Sequence, residues 1–465
     1  MEDERLGHRK TDRGAMLALA LATLLSSLGV SMANVALPVF SDQFSAPFAS
    51  VQWVVVAYLL ASTTLVVGAG RLGDLMGRAR LLQSGIALFT VASALCALAP
   101  SLPVLIAARV LQGAGGAAMM AMAMALVQSV VARERTGRAM GLMGTMSALG
   151  TALGPSVGGF ILGVAGWRAL FGLVLPLGLI TLAVVRRSLR ATDRPGTDAD
   201  TTFDGGGLAL LALGLAAYAL AMTVGGRFGS GGVPLLLGTA ICAVVLFGWH
   251  EKRTLVPLIP SDAVRQPLLA VRLSTNVLVG SVMMATLVVG PFYLARVLGL
   301  DPAGVGLVLA SGPVFSMLSG VPAGRMVDRF GAVAGIRIGL IAIAVGVFAL
   351  SALPGLMGLL GYIAAVAVLT PGYQLFLAAN NTAVMADVAP DRRGVVSGLL
   401  NLSRNLGLIT GASLIGTIFA MATGTATVAD APADAIAYGQ ALTFRICGLI
   451  ALAALGLSLA PARRA

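Results

Sequence analysis

Two arginines and a sparse set of amides are the residues of this chain best suited to act in an apolar setting. Arg109 is followed one helical turn later by Gln112, and Arg404 is flanked by Asn401 and Asn405; both arginines lie in long apolar runs that hold no Asp or Glu. A guanidinium keeps its proton, so at membrane depth it must face water, carbonyl oxygens or an anion. Arg404 sits about ten residues into its run, roughly 15 Å deep at about 1.5 Å per residue. Gln374 and Asn381 from the preceding run, Asn276 from an earlier one and Asn34 from the first add hydrogen-bonding capacity without charge. With Arg404 they suit a neutral or anionic solute. All 19 acidic residues fall in tails, loops or run ends, Asp387 coming nearest to mid-depth, so a cationic solute is disfavoured.

A second group can make and break a charge contact. The loop Gly70-Arg71-x2-Asp74-x2-Gly77-Arg78-x-Arg80 sets one carboxylate among three guanidinium groups. Gly73 and Gly77 allow a tight turn between helices there, and a contact through Asp74 that exists in one conformation and not in another is a conformational latch. Metal and cofactor chemistry have no comparable signal. Cys96, Cys242 and Cys447 lie far apart inside apolar runs with no CxxC spacing and read as packing residues, His8 and His250 fall in charged segments, and no nucleotide-binding P-loop follows a strand. The expectation is no metal, no cofactor and no enzymatic activity.

The elements that position these residues follow from composition. A chain of 465 residues that is 58% hydrophobic and 11% charged, with mean hydropathy +0.94, is a polytopic membrane protein. Apolar runs of about 20 residues predict fourteen spans. They divide into a tail at 1–14, six spans over 15–185, a connector at 186–205, two spans over 206–249, a second connector at 250–272, six spans over 273–460 and a tail at 461–465. With both termini in the cytoplasm, 25 Lys and Arg residues fall on the cytoplasmic side and 3, Arg168, Arg227 and Arg296, on the other. That bias is the positive-inside pattern, so the net charge of +12 reports topology, and its dispersal argues against nucleic-acid binding. Met1 to Arg13 lead into a segment too long for a signal-peptide core, so the first span is expected to stay. Trp53, Trp167 and Trp249 lie at span ends, where indole favours the interface.

The chain repeats itself. Gly70-Arg71-x2-Asp74-x2-Gly77 recurs as Gly324-Arg325-x2-Asp328-x2-Gly331, and a second register pairs Gly141, Gly150, Gly154 and Gly159 with Gly398, Gly407, Gly411 and Gly416. Six spans therefore belong to each copy, and the pair at 206–249 is an insertion. In the fifth span, Gly141-x8-Gly150-x3-Gly154-Pro155-x2-Gly158-Gly159 puts Gly150, Gly154 and Gly158 on one helix face and Gly141 and Gly159 on the opposite one. Two neighbours can then approach closely, and Pro155 bends the rod. Pro155 becomes Ala412 and Gly158 becomes Ile415 in the second copy, so the bend is expected on one side only.

The fifth-span spacing resembles the antiporter signature of drug exporters in the major facilitator superfamily, and the loop from Gly70 to Arg80 resembles that superfamily's hallmark motif. Leu105-x3-Arg109-x2-Gln112-Gly113-x-Gly115 resembles a further family motif, and Asn34-Val-Ala-Leu-Pro38, Gln52-Trp53 with Tyr58, and Gly166-Trp167-Arg168 with Phe171, Pro176 and Gly178 are similar to the drug:proton antiporter branch with fourteen spans. The resemblance implies an all-α major facilitator fold of two six-helix lobes plus two inserted helices, working by alternating access. It implies a latch at Gly70, Gly73, Asp74, Gly77, Arg78 and Asp328, and proton coupling through Arg109, Gln112 and Asp74. It also implies export of a drug, antibiotic or hydrophobic metabolite across a bacterial plasma membrane, with a small organic substrate, protons and the lipid bilayer as partners and no obligate protein partner. Two departures stand out. Gly29 occupies the position where the branch usually carries an aspartate, and the usual Ile-Asn pair after Phe171 is missing. Coupling through Asp74, Asp42 or Arg109, or a facilitator or importer on the same fold, are the alternatives they raise. A receptor or membrane enzyme would need an intramembrane His, Asp or Glu cluster. Methionines such as Met119, Met120, Met122, Met124, Met283 and Met284 offer adaptable apolar surface.

Overall fold

The computed structural model describes residues 2–130, 136–189, 204–224, 232–254, 267–386, 393–424 and 431–459. Arg71, Asp74, Gly141 and Asn401 are among those described by backbone alone, and Asp387 lies outside the described residues. In hydrocarbon every backbone N–H and C=O must be satisfied within the segment. The described residues accordingly form helices and no strand. In chain order these are α1 (Glu2–Val35), α2 (Leu37–Phe44), α3 (Phe48–Val51), α4 (Trp53–Met76), α5 (Arg78–Ala97), α6 (Leu102–Val130), α7 (Thr136–Ser188), α8 (Gly205–Val224), α9 (Gly232–Glu251), α10 (Pro267–Arg296), α11 (Pro302–Phe330), α12 (Ala332–Met385) and α13 (Arg393–Thr410). A π-helix (Gly411–Ile415) carries α13 into α14 (Gly416–Ala422), and α15 (Ala433–Leu459) closes the series. Among the described residues, 12 helices are long and apolar enough to cross a membrane.

Two of these helices are hairpins. α7 has 53 residues and α12 has 54, far beyond the roughly 20 that span a bilayer. Each is broken at a glycine in non-helical geometry, Gly166 (φ 76°, ψ 176°) and Gly358 (φ 55°, ψ −129°). Side-chain neighbours establish the reversal: Gly150 and Gly154 lie against Leu24 to Ser31 of α1, and the far end of α7 returns Ser188 to Gly14, 2.9 Å from where a Cβ would stand. In α12, Gly335 faces Ala379, Gly339 faces Phe376 and Gly346 faces Leu369, an antiparallel pairing about Gly358.

The repeat is visible in the backbone. Gly77 (φ 90°, ψ 130°) joins α4 to α5, and its counterpart Gly331 (φ 81°, ψ 160°) joins α11 to α12. Both conformations are ones that glycine alone adopts cheaply. The inserted α8 packs against α3 and α4 and against the second lobe as well, where the Tyr218 hydroxyl donates to Thr410 Oγ1 at 3.1 Å and Thr417 Oγ1 donates to the Met222 carbonyl at 2.8 Å.

Candidate transport gate and intramembrane polar network

The glycines of the fifth span place two backbones in contact with a third. A Cβ added at Gly150 would stand 2.5 Å from the Leu24 carbonyl oxygen, and one at Gly154 would collide with Ser31, both in α1. Gly158 is looser, with Val35 and Leu170 at 3.5 Å. From the other face, a Cβ at Gly159 would lie 2.5 Å from the Pro302 carbonyl oxygen and 2.7 Å from Gly306 Cα, both in α11 of the opposite lobe. Gly306 in turn abuts the Pro155 carbonyl. The lobes meet here backbone to backbone.

Other cross-lobe contacts gather at the same end. Arg296 Nη2 donates to both oxygens of Asp42 at 2.6 and 2.7 Å. Phe48 of the first lobe stacks edge-on against Phe292 and Phe419 of the second, at centroid distances of 5.1 and 5.9 Å. At the opposite end, Gly70, Gly320 and Gly324 have no neighbouring group within 4 Å of where a Cβ would stand.

The second copy of the glycine pattern also departs from a regular α-helix. Gly407 and Gly411 lie against Val277, Gly280 and Ser281 of α10 as Gly150 and Gly154 lie against α1. Ala412 belongs to the π-helix Gly411–Ile415, so the hydrogen-bond ladder is interrupted where the first copy uses Pro155. A repeat alignment shows a lost proline but not a ladder that shifts register.

Among the described residues Arg109 is the largest fully buried side chain, 1% exposed. Its Nε donates to the Val54 carbonyl at 2.8 Å, its Nη1 to the Gly29 carbonyl at 3.0 Å and to Gln112 Oε1, and its guanidinium lies 4.3 Å from the Tyr58 ring centroid. Gln112 Nε2 donates to Ser93 Oγ at 2.7 Å, and the Tyr58 hydroxyl to the Ser26 carbonyl at 3.2 Å. Nη2 of Arg109 is buried with no hydrogen-bond partner. The cation is held by carbonyls, an amide and a π-face.

The polar residues named as substrate candidates have different surroundings. Asn276 is buried and donates to the Leu400 carbonyl at 3.1 Å and Ser403 Oγ at 2.9 Å, tying α10 to α13. Asn34 is buried and donates to the Val30 carbonyl of its own helix at 3.2 Å, while Gln374 donates to Ser316 of α11. Asn381 is exposed; Arg404 and Asn405 are half-buried, and Arg404 Nε has no hydrogen-bond partner. In the latch, Gly73 packs against Met122, whose sulfur lies 2.5 Å from where a Cβ would stand; Arg78 and Asp328 are exposed. Cys96 and Cys447 are buried, but Cys242 is exposed and does not serve packing. Trp167 is buried against Phe40, Phe44 and Phe171, unlike the exposed Trp249.

Sequence reasoning passed over three features. Phe48, Phe292 and Phe419 are scattered apolar residues without a shared motif. The pairing of Asp42 with Arg296 is signalled only by their both falling at span ends. Asp204 Oδ1 meets His250 Nε2 at 2.7 Å and accepts from the Gly207 N–H at 2.8 Å, an N-cap for α8. Burial raises the Asp204 pKa, but the Gly207 and His250 hydrogen bonds outweigh it and hold the carboxyl below its ordinary value.

Repeated helical lobes that meet at one end and a polar network buried within one of them define a multi-pass membrane carrier for small molecules, not an enzyme. The chain belongs to the Major Facilitator Superfamily, whose profile matches residues 19–412 and 272–464. It is 32% identical over 406 residues to the uncharacterized transporter YebQ of Escherichia coli, covering 86% of this chain and 88% of that one. It is 28% identical to the riboflavin transporter RibZ of Clostridioides difficile (87% and 88% covered) and 29% identical to the multidrug resistance protein Stp of Mycobacterium tuberculosis (88% and 76% covered). Among solved structures, a peptide transporter POT in complex with sulfate shares the fold at TM-score 0.70 and 14% identity, covering 96% of this chain and 92% of that one.

Proposed function

We propose that this transporter exports small organic compounds by alternating access in exchange for protons, as a member of the drug:proton antiporter branch. The observation that carries the reading is the closed end where Gly159 meets Gly306 and Asp42 meets Arg296. Counting each glycine-broken hairpin as two crossings turns the 12 helices into fourteen spans. An even count sets both termini on one side, and the distribution of basic residues supports that side being the cytoplasm of a bacterium, with the closed end outside. The structure is then the cytoplasm-facing state. Gly70, Gly73, Asp74, Gly77, Arg78 and Asp328 act as the latch for the opposite state, and Arg109 with Gln112 and Asp74 serves coupling.

The substrate class is neutral or anionic. Arg109 is a buried cation held by carbonyls, and Arg404 is half-buried with an unpartnered Nε, so a lipophilic cation meets repulsion at both. A second reading, a facilitator without proton coupling, is favoured by Gly29 offering Arg109 only a backbone carbonyl, with no carboxylate at that position to take a proton.

Inside-out vesicles acidified within and loaded with a pH-sensitive dye separate the two. Release of protons on adding neutral or anionic compounds, lost in Arg109→Ala, is the expected result. Transport of a compound without proton release would establish the facilitator.

A further inference from the structure

Gln52 is the one residue linking α3 to α4, and its side chain is fully buried at the lobe seam. Its backbone is satisfied: the N–H donates to the Phe48 carbonyl at 3.0 Å and the carbonyl accepts from Val55 and Val56 at 3.0 Å. The side-chain amide is not. Neither Nε2 nor Oε1 has a hydrogen-bond partner. Oε1 presses against Gly416 of the second lobe, leaving no room for a Cβ, and Phe48 and Val288 fill the rest of that site at 3.1 and 3.4 Å. Gly416 directly follows the π-helix, whose Ser413 hydroxyl is also buried without a partner. The amide is thus shut away from the solvent-accessible surface at the seam, beside Gly416 and the Phe48 ring.

An amide taken from water without a replacement partner raises the free energy of the state that buries it. A side chain needed only for packing would be Leu or Met, of similar size and free of that cost. We propose that Gln52 is the positioning residue that sets the balance of this gate: its amide destabilises the closed outer seam and is hydrated when the lobes part, favouring the outward-open state. The proposal rests on the alternating-access reading above. It needs no proton and no substrate, so it acts on the empty carrier, and it explains why the second-lobe partner is glycine. The closed state accommodates an unbonded amide there only because Gly416 has no side chain.

The test measures the lobe separation directly. Spin labels at Gln43→Cys, exposed at the end of α2, and Leu298→Cys, just beyond α10, report it in a Cys242→Ser background that removes the exposed native thiol. Gln52→Leu and Gln52→Met are each expected to move the population towards the short distance by about tenfold, with slower turnover in proteoliposomes. Gln52→Glu is expected to move it towards the long distance at neutral pH. If the apolar variants leave the distribution unchanged or lengthen it, the role of Gln52 is overturned. Gly159→Val is the control, because it sterically blocks closure. If Gly159→Val lengthens the distance and the Gln52 variants do nothing, only the Gln52 assignment fails; if Gly159→Val does nothing, the gate reading fails and the assignment with it.

Discussion

Arg109 Nη1 donates to the carbonyl oxygen of Gly29 at 3.0 Å, and the space beside Gly29 is filled by the Phe89 ring, whose Cζ lies 2.5 Å from where a Cβ would stand. Gly29 therefore offers the guanidinium only a backbone dipole, and the Phe89 ring occupies the space that a side chain at this position would enter. Gly29→Asp alone is expected to misfold or to give a thermally weak carrier, because Phe89 is itself fully buried. Gly29→Asp with Phe89→Ala opens the space and pairs a carboxylate with Arg109. Thermal melting in detergent checks the first outcome, and proton release per substrate in vesicles checks whether the double variant gains coupling.

Arg109→Lys keeps the charge but loses the planar fork that reaches Val54, Gly29 and Gln112 together. It leaves buried carbonyls and the Gln112 amide short of a donor. We expect a stability loss of about 2–4 kcal/mol and at least tenfold slower transport, measured by chemical denaturation in micelles and by proteoliposome uptake.

Two glycines four residues apart in α7 are expected to behave oppositely. Gly159→Ala drives its methyl into the Pro302 carbonyl, whereas at Gly163 the nearest atoms, of Ala303, stand 3.9 Å away. Gly159→Ala should abolish or strongly slow transport while Gly163→Ala stays within about twofold of the parent, since ordinary van der Waals contact carries no strain. Transport by Gly159→Ala at the parent rate would disprove a close-packed gate.

The cap at the start of α8 has a pH signature. Asp204 has its pKa lowered in the folded state from an ordinary value of 3.8, so its stabilising contribution is complete above that value and is lost as pH falls through the lowered one. Hydrogen-exchange protection at the α8 N-terminus, taken relative to the intrinsic rate, should fall in that acid window, and Asp204→Asn should remove the pH dependence of that protection.

How much of this was legible in the sequence depends on the scale of the signal. Glycine spacing located the two faces of the fifth span, because small residues mark close backbone approach in any helix. Internal repetition located the turns at Gly77 and Gly331. Periodicity could not show that Asn276 is consumed in joining α10 to α13, since an amide that binds a neighbouring helix and one that binds a solute look alike in sequence. Nor could it show the π-helix at Gly411, where no proline announces the break. The aromatic seam of Phe48, Phe292 and Phe419 brings together residues more than 200 positions apart, and only the tertiary fold does that.

The most direct test fastens the gate itself. Asp42→Cys with Arg296→Cys, in the Cys242→Ser background, puts one thiol on each lobe where the ion pair now sits. A short, reducible bifunctional thiol reagent should stop transport in proteoliposomes, and reduction should restore it. Transport that continues at the uncrosslinked rate in fully crosslinked protein would contradict a carrier that must open at this end.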